Sequence, residues 1–209
     1  MKPKVAVIDY GLGNLRSVCK AFEACSADVD LIFGPEGLNG AQGLVLPGVG
    51  ALGDCMDGLK ACSLMDPVKG WIADDRPFFG VCLGFQALYD YSEEGNVSGL
   101  GIFPGSVKRF RLPGGLKVPH MGWNAIVLKN PSDPMAAGLV SGKDQFYFVH
   151  SYFVAPEEEE AVFFQTEYGI PFASGIKVGN CVATQFHPEK SQDKGLRLYK
   201  NFLNLVENH

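Results

Sequence analysis

Along the first half of the chain, short apolar runs alternate with stretches in which apolar residues recur every three or four positions. Val5 to Ile8 form the first run, and residues 29–33, 43–46 and 77–81 form the next three. The first reads as a buried strand and the others as further strands. Between the first two, Leu15, Val18, Cys19 and Phe22 share one face of a helix predicted over residues 14–25. Further helices are expected near residues 52–60, 64–74 and 83–91. Strands alternating with amphipathic helices predict an α/β fold built on a parallel sheet with crossover helices.

From about Gly99 to Gln185 the texture changes to short β-rich runs, such as 146–149 and 161–164, separated by Gly, Pro and Asn. These predict an additional β-rich portion of mainly antiparallel or mixed strands. In the tail, Leu198, Tyr199, Phe202, Leu205 and Val206 fall on one helical face, with Lys200, Asn201 and Asn204 off it. A closing amphipathic helix packed on the core is the reading.

The 209 residues, 46% hydrophobic and 20% charged, suit one globular domain over 1–209. A formal charge of -5 with no Lys/Arg block argues against a nucleic-acid partner. Four apolar residues before Asp9 are too few for a signal-peptide core or membrane span, so a cytosolic protein without a membrane partner is expected. The six cysteines show no C-x-x-C pair or regular spacing, which favours reduced core residues over a disulfide framework or metal site. His120 and His150 lack metal-ligand spacing and by pattern alone are structural histidines. Residues 157–160, four glutamates, read as a solvated loop, and His209 as a chain end.

Three segments carry candidate chemistry. Gly80-Val-Cys82-Leu-Gly84 falls where the strand of 77–81 passes into the next helix. A nucleophile on such a tight turn needs small neighbours two residues away on each side, because the turn brings their backbones together. The helix N-terminus also favours the attacking thiolate. The plain alternative is a buried cysteine between packing glycines. Gln185-Phe-His187-Pro-Glu189 follows an apolar strand and supplies a base and an acid to orient it, or else a surface turn. The third segment, Leu46-Pro-Gly48-Val49-Gly50, is a glycine-rich loop able to turn backbone N–H groups toward a developing oxyanion; an ordinary turn is the alternative. Gly11-Leu-Gly13 begins like a dinucleotide fingerprint, but Arg16 stands where the third glycine belongs.

Together these segments resemble the class I, or triad, glutamine amidotransferases, in which a G-x-C-x-G cysteine pairs with a later His-Pro-Glu on a flavodoxin-like α/β fold. Segments 8–17, 119–124, 148–152 and 185–191 narrow the resemblance to the glutaminase subunits of imidazole glycerol phosphate synthase. The resemblance implies that L-glutamine is hydrolysed through a thioester on Cys82, with His187 as base and acid and Glu189 orienting it. It also implies an oxyanion site lined by Gly48, Val49, Gly50 and the Leu83 amide, and a glutamine site formed by Gln86, His150, Ser151 and Tyr152. His120, Met121 and Trp123 would face the partner, a cyclase with a (β/α)₈ barrel that receives the ammonia in a heterodimer. No cofactor or metal is implied.

Three rival readings follow from the same residues. The nearest is the glutaminase of another amidotransferase, such as the one that feeds anthranilate synthesis. Segment 119–124 and Pro188-Glu-Lys-Ser191 argue against it. A silent regulatory domain would lack a triad member, and a cysteine hydrolase of another amide or ester would be separated by a glutaminase assay.

Overall fold

The computed structural model describes residues 2–112 and 114–209. In chain order, the first half contains β1 (Lys4–Ile8), α1 (Leu15–Ala24), β2 (Asp28–Ile32), β3 (Gly43–Leu46), α2 (Leu52–Ala61), α3 (Met65–Ala73), β4 (Phe78–Val81) and α4 (Leu83–Gln86). Next come β5 (Tyr89–Ser92), β6 (Val97–Ser98), β7 (Phe103–Arg109), β8 (His120–Ala125), β9 (Val127–Leu128), β10 (Gln145–His150) and β11 (Tyr152–Pro156). The chain closes with β12 (Val162–Glu167), β13 (Pro171–Val178), β14 (Cys181–Thr184) and α5 (Gln192–Asn208).

The four apolar runs of the first half become β1 to β4. They pair in parallel in the order β2-β1-β3-β4, and β14 adds a fifth parallel strand beside β4. Every residue of β3, β4 and β14 is buried, which is why these strands show no polar alternation. Beyond β14 the sheet continues through β13, β11, β7, β5 and β6, with β12 and β9 branching from β13. The β13–β14, β11–β13 and β11–β7 pairings are antiparallel, whereas β5–β7 is parallel. Strands β8 and β10 form a separate antiparallel ribbon. A mostly parallel sheet with a mixed β-rich portion is the expected architecture.

Helices α1, α2 and α3 each give way to a residue in the left-handed region, Ser26 at φ 74°, Ser63 at 56° and Asp75 at 54°. Glycine is the usual residue at such a stop. Helix α5 packs on α1 and the sheet, with Phe22 stacked on Tyr199 at 4.2 Å between ring centroids and Phe79 edge-on to Phe202 at 5.2 Å. Asn201, expected off the apolar face, is instead buried. Its Nδ2 donates to the Met135 and Ala137 carbonyls at 3.0 and 2.9 Å, so two hydrogen bonds replace the water it loses.

One expected element is shortened. The helix predicted over 83–91 ends at Gln86. The returning chain places the Leu100 N–H on the Ala87 carbonyl at 2.7 Å and the Ile102 N–H on that of Leu88 at 2.8 Å, and strand pairing takes over from Tyr89. All of residues 83–89 are buried, so no polar side exists from which a period could be judged. Residues 157–160 are exposed, as expected. Among the described residues all six cysteines are free, and no helix is long and apolar enough to cross a membrane.

Candidate active site

The chain segments that leave β3, β4 and β14 meet at the carboxyl edge of the parallel sheet, where α/β folds place their ligands. At the end of β4 the chain reverses direction within one residue. Cys82 takes φ 53° and ψ -99°, a strained conformation for a side-chain-bearing residue. Its N–H is held by the Thr184 carbonyl at 2.7 Å. The flanking glycines are sterically required: a β-carbon at Gly84 would collide with the Leu46 carbonyl, and one at Gly80 would lie 3.0 Å from the Gly84 carbonyl. The elbow read from the spacing is therefore present, with the thiol at the first residue before α4.

His187 leaves the end of β14 and is anchored to β10 by its N–H on the Tyr147 carbonyl at 2.9 Å. Its Nδ1 lies 2.8 Å from Glu189 Oε1, and both side chains are only 2% exposed. The Tyr199 hydroxyl donates to the other carboxylate oxygen at 3.4 Å. Ring atom Nε2 has no hydrogen-bond partner among the described residues. Burial alone would lower the imidazole pKa, but the nearby Cys82 sulfur and the Glu189 carboxylate outweigh it and raise the value to about 10. The raised value favours a protonated ring next to the nucleophile.

The glycine-rich loop does not present a ready oxyanion hole. The Leu83 N–H points at the Gly48 carbonyl, 3.4 Å away, so the chain's own oxygen takes the donor that would receive an oxyanion. The Gly48–Val49 peptide therefore turns its N–H the other way. Gly50 follows at φ 105°.

Beside the thiol lies a cavity of about 310 Å³, lined in part by Val49, Gly50, Leu83, Gln86, Ser151 and Tyr152. The structure thus gathers at one place the residues that the sequence assigned to glutamine, although Gly48 does not line the cavity. Two side chains are already committed. Gln86 Nε2 donates to the Tyr152 carbonyl at 3.1 Å and to Gln185 Oε1 at 2.9 Å, and Gln185 Nε2 approaches Cys82 Sγ at 3.4 Å. His150 Nδ1 lies 2.8 Å from the Tyr152 carbonyl and its Nε2 lies 3.0 Å from His120 Nδ1. With both ring nitrogens engaged, His150 lines the cavity without a free polar atom to offer a ligand.

Met121 and Trp123, the residues expected to face a partner, are 62% and 46% exposed on β8. His120 differs from its neighbours in exposure. It is 3% exposed because side chains alternate along a strand, and a residue next to an outward Met121 points inward. Its ring stacks on Tyr168 and Phe148 at centroid distances of 4.0 and 4.7 Å.

Comparison with known proteins decides the family. The model of the glutamine amidotransferase class-I family matches residues 6–205. Imidazole glycerol phosphate synthase subunit HisH of Moorella thermoacetica is 47% identical over 207 residues, covering 99% of this chain and 96% of that relative. The subunit of the same name from Syntrophotalea carbinolica is 48% identical, covering 95% of this chain and 98% of its own length. The chain belongs to the class-I glutamine amidotransferases, among the HisH subunits. The solved structure of PurLQS from Thermotoga maritima shares the fold, with a TM-score of 0.78 at 18% identity, covering 99% of this chain and all of that one.

Three residues of this amidotransferase's cavity were not anticipated: Glu94, Pro119 and Val149. Glu94 brings a carboxylate to the cavity wall, with Oε2 also accepting the Leu52 N–H at 3.2 Å. No motif surrounds it, and only the β5–β6 turn carries it to the site. Gln185 was quoted only as a neighbour of His187. Its own signal was slight, a polar residue fully buried at the end of an apolar strand.

The buried histidine pair gives the amidotransferase a dependence on acid. Burial lowers His120 to about 4 and His150 to about 3, both below the ordinary 6.5. The unfolded chain then takes up protons first, so stability is complete above pH 6.5 and falls as the pH drops toward 4. His187 works in the opposite sense: its raised pKa gives stability that is complete below 6.5 and lost as the pH rises, so at pH 7 it offsets a small part of the difference. Urea unfolding at pH 5 should show roughly 1–3 kcal/mol less stability than at pH 7. The difference should shrink in His150→Gln, and equal stabilities at the two pH values in the parent would contradict a neutral buried pair.

Proposed function

We propose that residues 1–209 act as one glutamine amidotransferase domain that hydrolyses L-glutamine and delivers the ammonia to a cyclase subunit making imidazole glycerol phosphate in histidine biosynthesis. The observation that carries this reading is the strained Cys82 at the wall of a 310 Å³ cavity, with the buried, hydrogen-bonded His187–Glu189 pair close behind it. The relatives' name, a subunit of imidazole glycerol phosphate synthase, supports the acceptor.

In this reading the Cys82 thiolate attacks the side-chain amide carbon of glutamine and a tetrahedral oxyanion forms. His187 gives its proton to the departing nitrogen, which leaves as ammonia, and a thioester to Cys82 remains. The now neutral His187 takes a proton from water as that water attacks the thioester. Glutamate is released and the Cys82–His187 pair is restored. Glu189, hydrogen-bonded to Nδ1, fixes the ring and stabilises its charge. Glu94 and the free Oε1 of Gln86 are suited to the substrate's ammonium group, and exposed Met121 and Trp123 to the cyclase, a (β/α)₈ barrel by resemblance.

The test is a reconstitution. The chain is mixed with a candidate cyclase and its phosphoribulosyl nucleotide substrate, and glutamate and imidazole glycerol phosphate are measured together. Equal molar formation of the two is expected. Glutamate release that responds instead to an anthranilate synthase partner would move the chain to that pathway.

A further inference from the structure

An unbroken file of hydrogen bonds runs from β8 to the nucleophile, and each donor along it is fixed by an obligatory group. At one end the Ala125 N–H donates to Asn124 Oδ1 at 2.8 Å, which assigns the amide of Asn124 and turns its Nδ2 toward His120 Nε2 at 3.2 Å. The same Nδ2 donates to the Glu167 carbonyl at 2.9 Å, consistent with that assignment. His120 Nε2 must then accept, so its proton sits on Nδ1 and is given to His150 Nε2 at 3.0 Å. His150 in turn carries its proton on Nδ1 and donates to the Tyr152 carbonyl at 2.8 Å.

The other end leads to the same assignment. A backbone carbonyl can only accept, so Gln86 must present its NH₂ to the Tyr152 oxygen. The second hydrogen of that NH₂ goes to Gln185 Oε1 at 2.9 Å, and this leaves the Gln185 NH₂ facing Cys82 Sγ at 3.4 Å. An amide reversed at either glutamine would set two acceptors or two donors against each other in a buried site, where unmet polar groups cost most.

We propose that Asn124, His120 and His150 are positioning residues which, through the Tyr152 carbonyl and Gln86, hold the Gln185 amide N–H on the Cys82 sulfur and so stabilise the attacking thiolate. Both histidines are neutral here because they are buried, and an extra proton on either would place two N–H groups head to head. Asn124 and His120 lie on the strand that carries exposed Met121 and Trp123, so a displacement of β8 relative to β10 changes the His120–His150 link of the file. The inference rests on Cys82 being the nucleophile, which replacement of Cys82 tests separately.

The first measurement is independent of catalysis. Long-range ¹H–¹⁵N spectra of the full chain labelled on histidine should show His120 and His150 as Nδ1–H tautomers at pH 7. An Nε2–H tautomer on either overturns the file. The second is a double-mutant cycle. Asn124→Asp keeps the shape but has no N–H to offer His120, and Gln185→Met keeps the volume but removes the donor to sulfur. Each should lower kcat for glutamine and the rate of Cys82 alkylation by iodoacetamide about 10-fold, with KM changed little. The double variant should be no slower than Gln185→Met alone, because both changes cut one file, whereas independent sites would add. Additive losses, or wild-type alkylation in Asn124→Asp, would overturn the coupling to the sulfur. If Gln185→Met does not fold, the tautomers and Asn124→Asp decide.

Discussion

Replacing Cys82 by alanine is expected to lower glutamine hydrolysis by about 10⁴- to 10⁶-fold, the range seen when a nucleophile that acts with its base as a unit is removed. Synthesis from added ammonium salts by the cyclase should continue at the parent's rate, because the substitution removes one sulfur and leaves the surface untouched. The fold should survive. The position already accommodates a β-carbon at φ 53°, and Gly84 keeps its close approach to Leu46 and Gly80 its approach to Gly84. His187→Ala should be nearly as damaging, since the nucleophile loses its base and the leaving nitrogen its acid. Glu189→Gln should cost somewhat less, because the ring stays in place and only its orientation and charge are less well supported. The assay is glutamate release with cyclase and nucleotide present, alongside ammonia-dependent product formation. Full glutamine turnover in Cys82→Ala would remove the nucleophile assignment and the thioester with it.

The parts of this site that could be read from sequence are those whose chemistry and geometry share one short segment. Gly80-Val-Cys82-Leu-Gly84 is such a case, because the turn that exposes the thiol also demands its two glycines. His187 and Glu189 are another, two residues apart with a proline between. Long-range relations were harder. Glu94 reaches the cavity only through the β5–β6 turn, and β5, which leads into that turn, begins inside a helix expected over 83–91, where the full burial of residues 83–89 erased any period. His120, by pattern a structural histidine, is turned inward beside Met121 by strand alternation, which a motif match does not reveal. Asn201 shows the same limit in the core. Its helical position was legible, but its two carbonyl partners lie in a distant loop. The first half of the fold was the more legible because β1, β3 and β4 are almost wholly buried and its helices have one apolar side.

The chain alone should turn over glutamine about 10²- to 10³-fold more slowly than in complex with a cyclase holding its nucleotide ligand, the loss expected when an oxyanion donor is missing. In the structure the Gly48 carbonyl sits on the Leu83 N–H, so the site for a developing oxyanion is filled by an acceptor. Rotating the Gly48–Val49 peptide would withdraw that oxygen and bring the Val49 N–H inward, giving two donors in place of none free. Gly48 suits the rotation because it lacks a side chain; a β-carbon there would strike the Tyr10 hydroxyl and lie 2.8 Å from Leu83 Cβ. Val49 opposes it. Its φ is not positive now, and turning the peptide over moves it toward the left-handed region, where a β-branched residue costs roughly 1–3 kcal/mol. That cost keeps the resting form dominant until a partner that binds the rotated form better shifts the balance. Val49→Gly should therefore raise turnover by the chain alone, by roughly 10-fold for each 1.4 kcal/mol of strain removed, and shrink the activation by the cyclase. Glutamine turnover is to be measured for parent and Val49→Gly alone, with cyclase, and with cyclase plus nucleotide ligand. Equal rates for the parent in all three conditions would rule out the switch and leave the triad in place. A Val49→Gly chain with unchanged basal turnover would move the barrier away from this peptide.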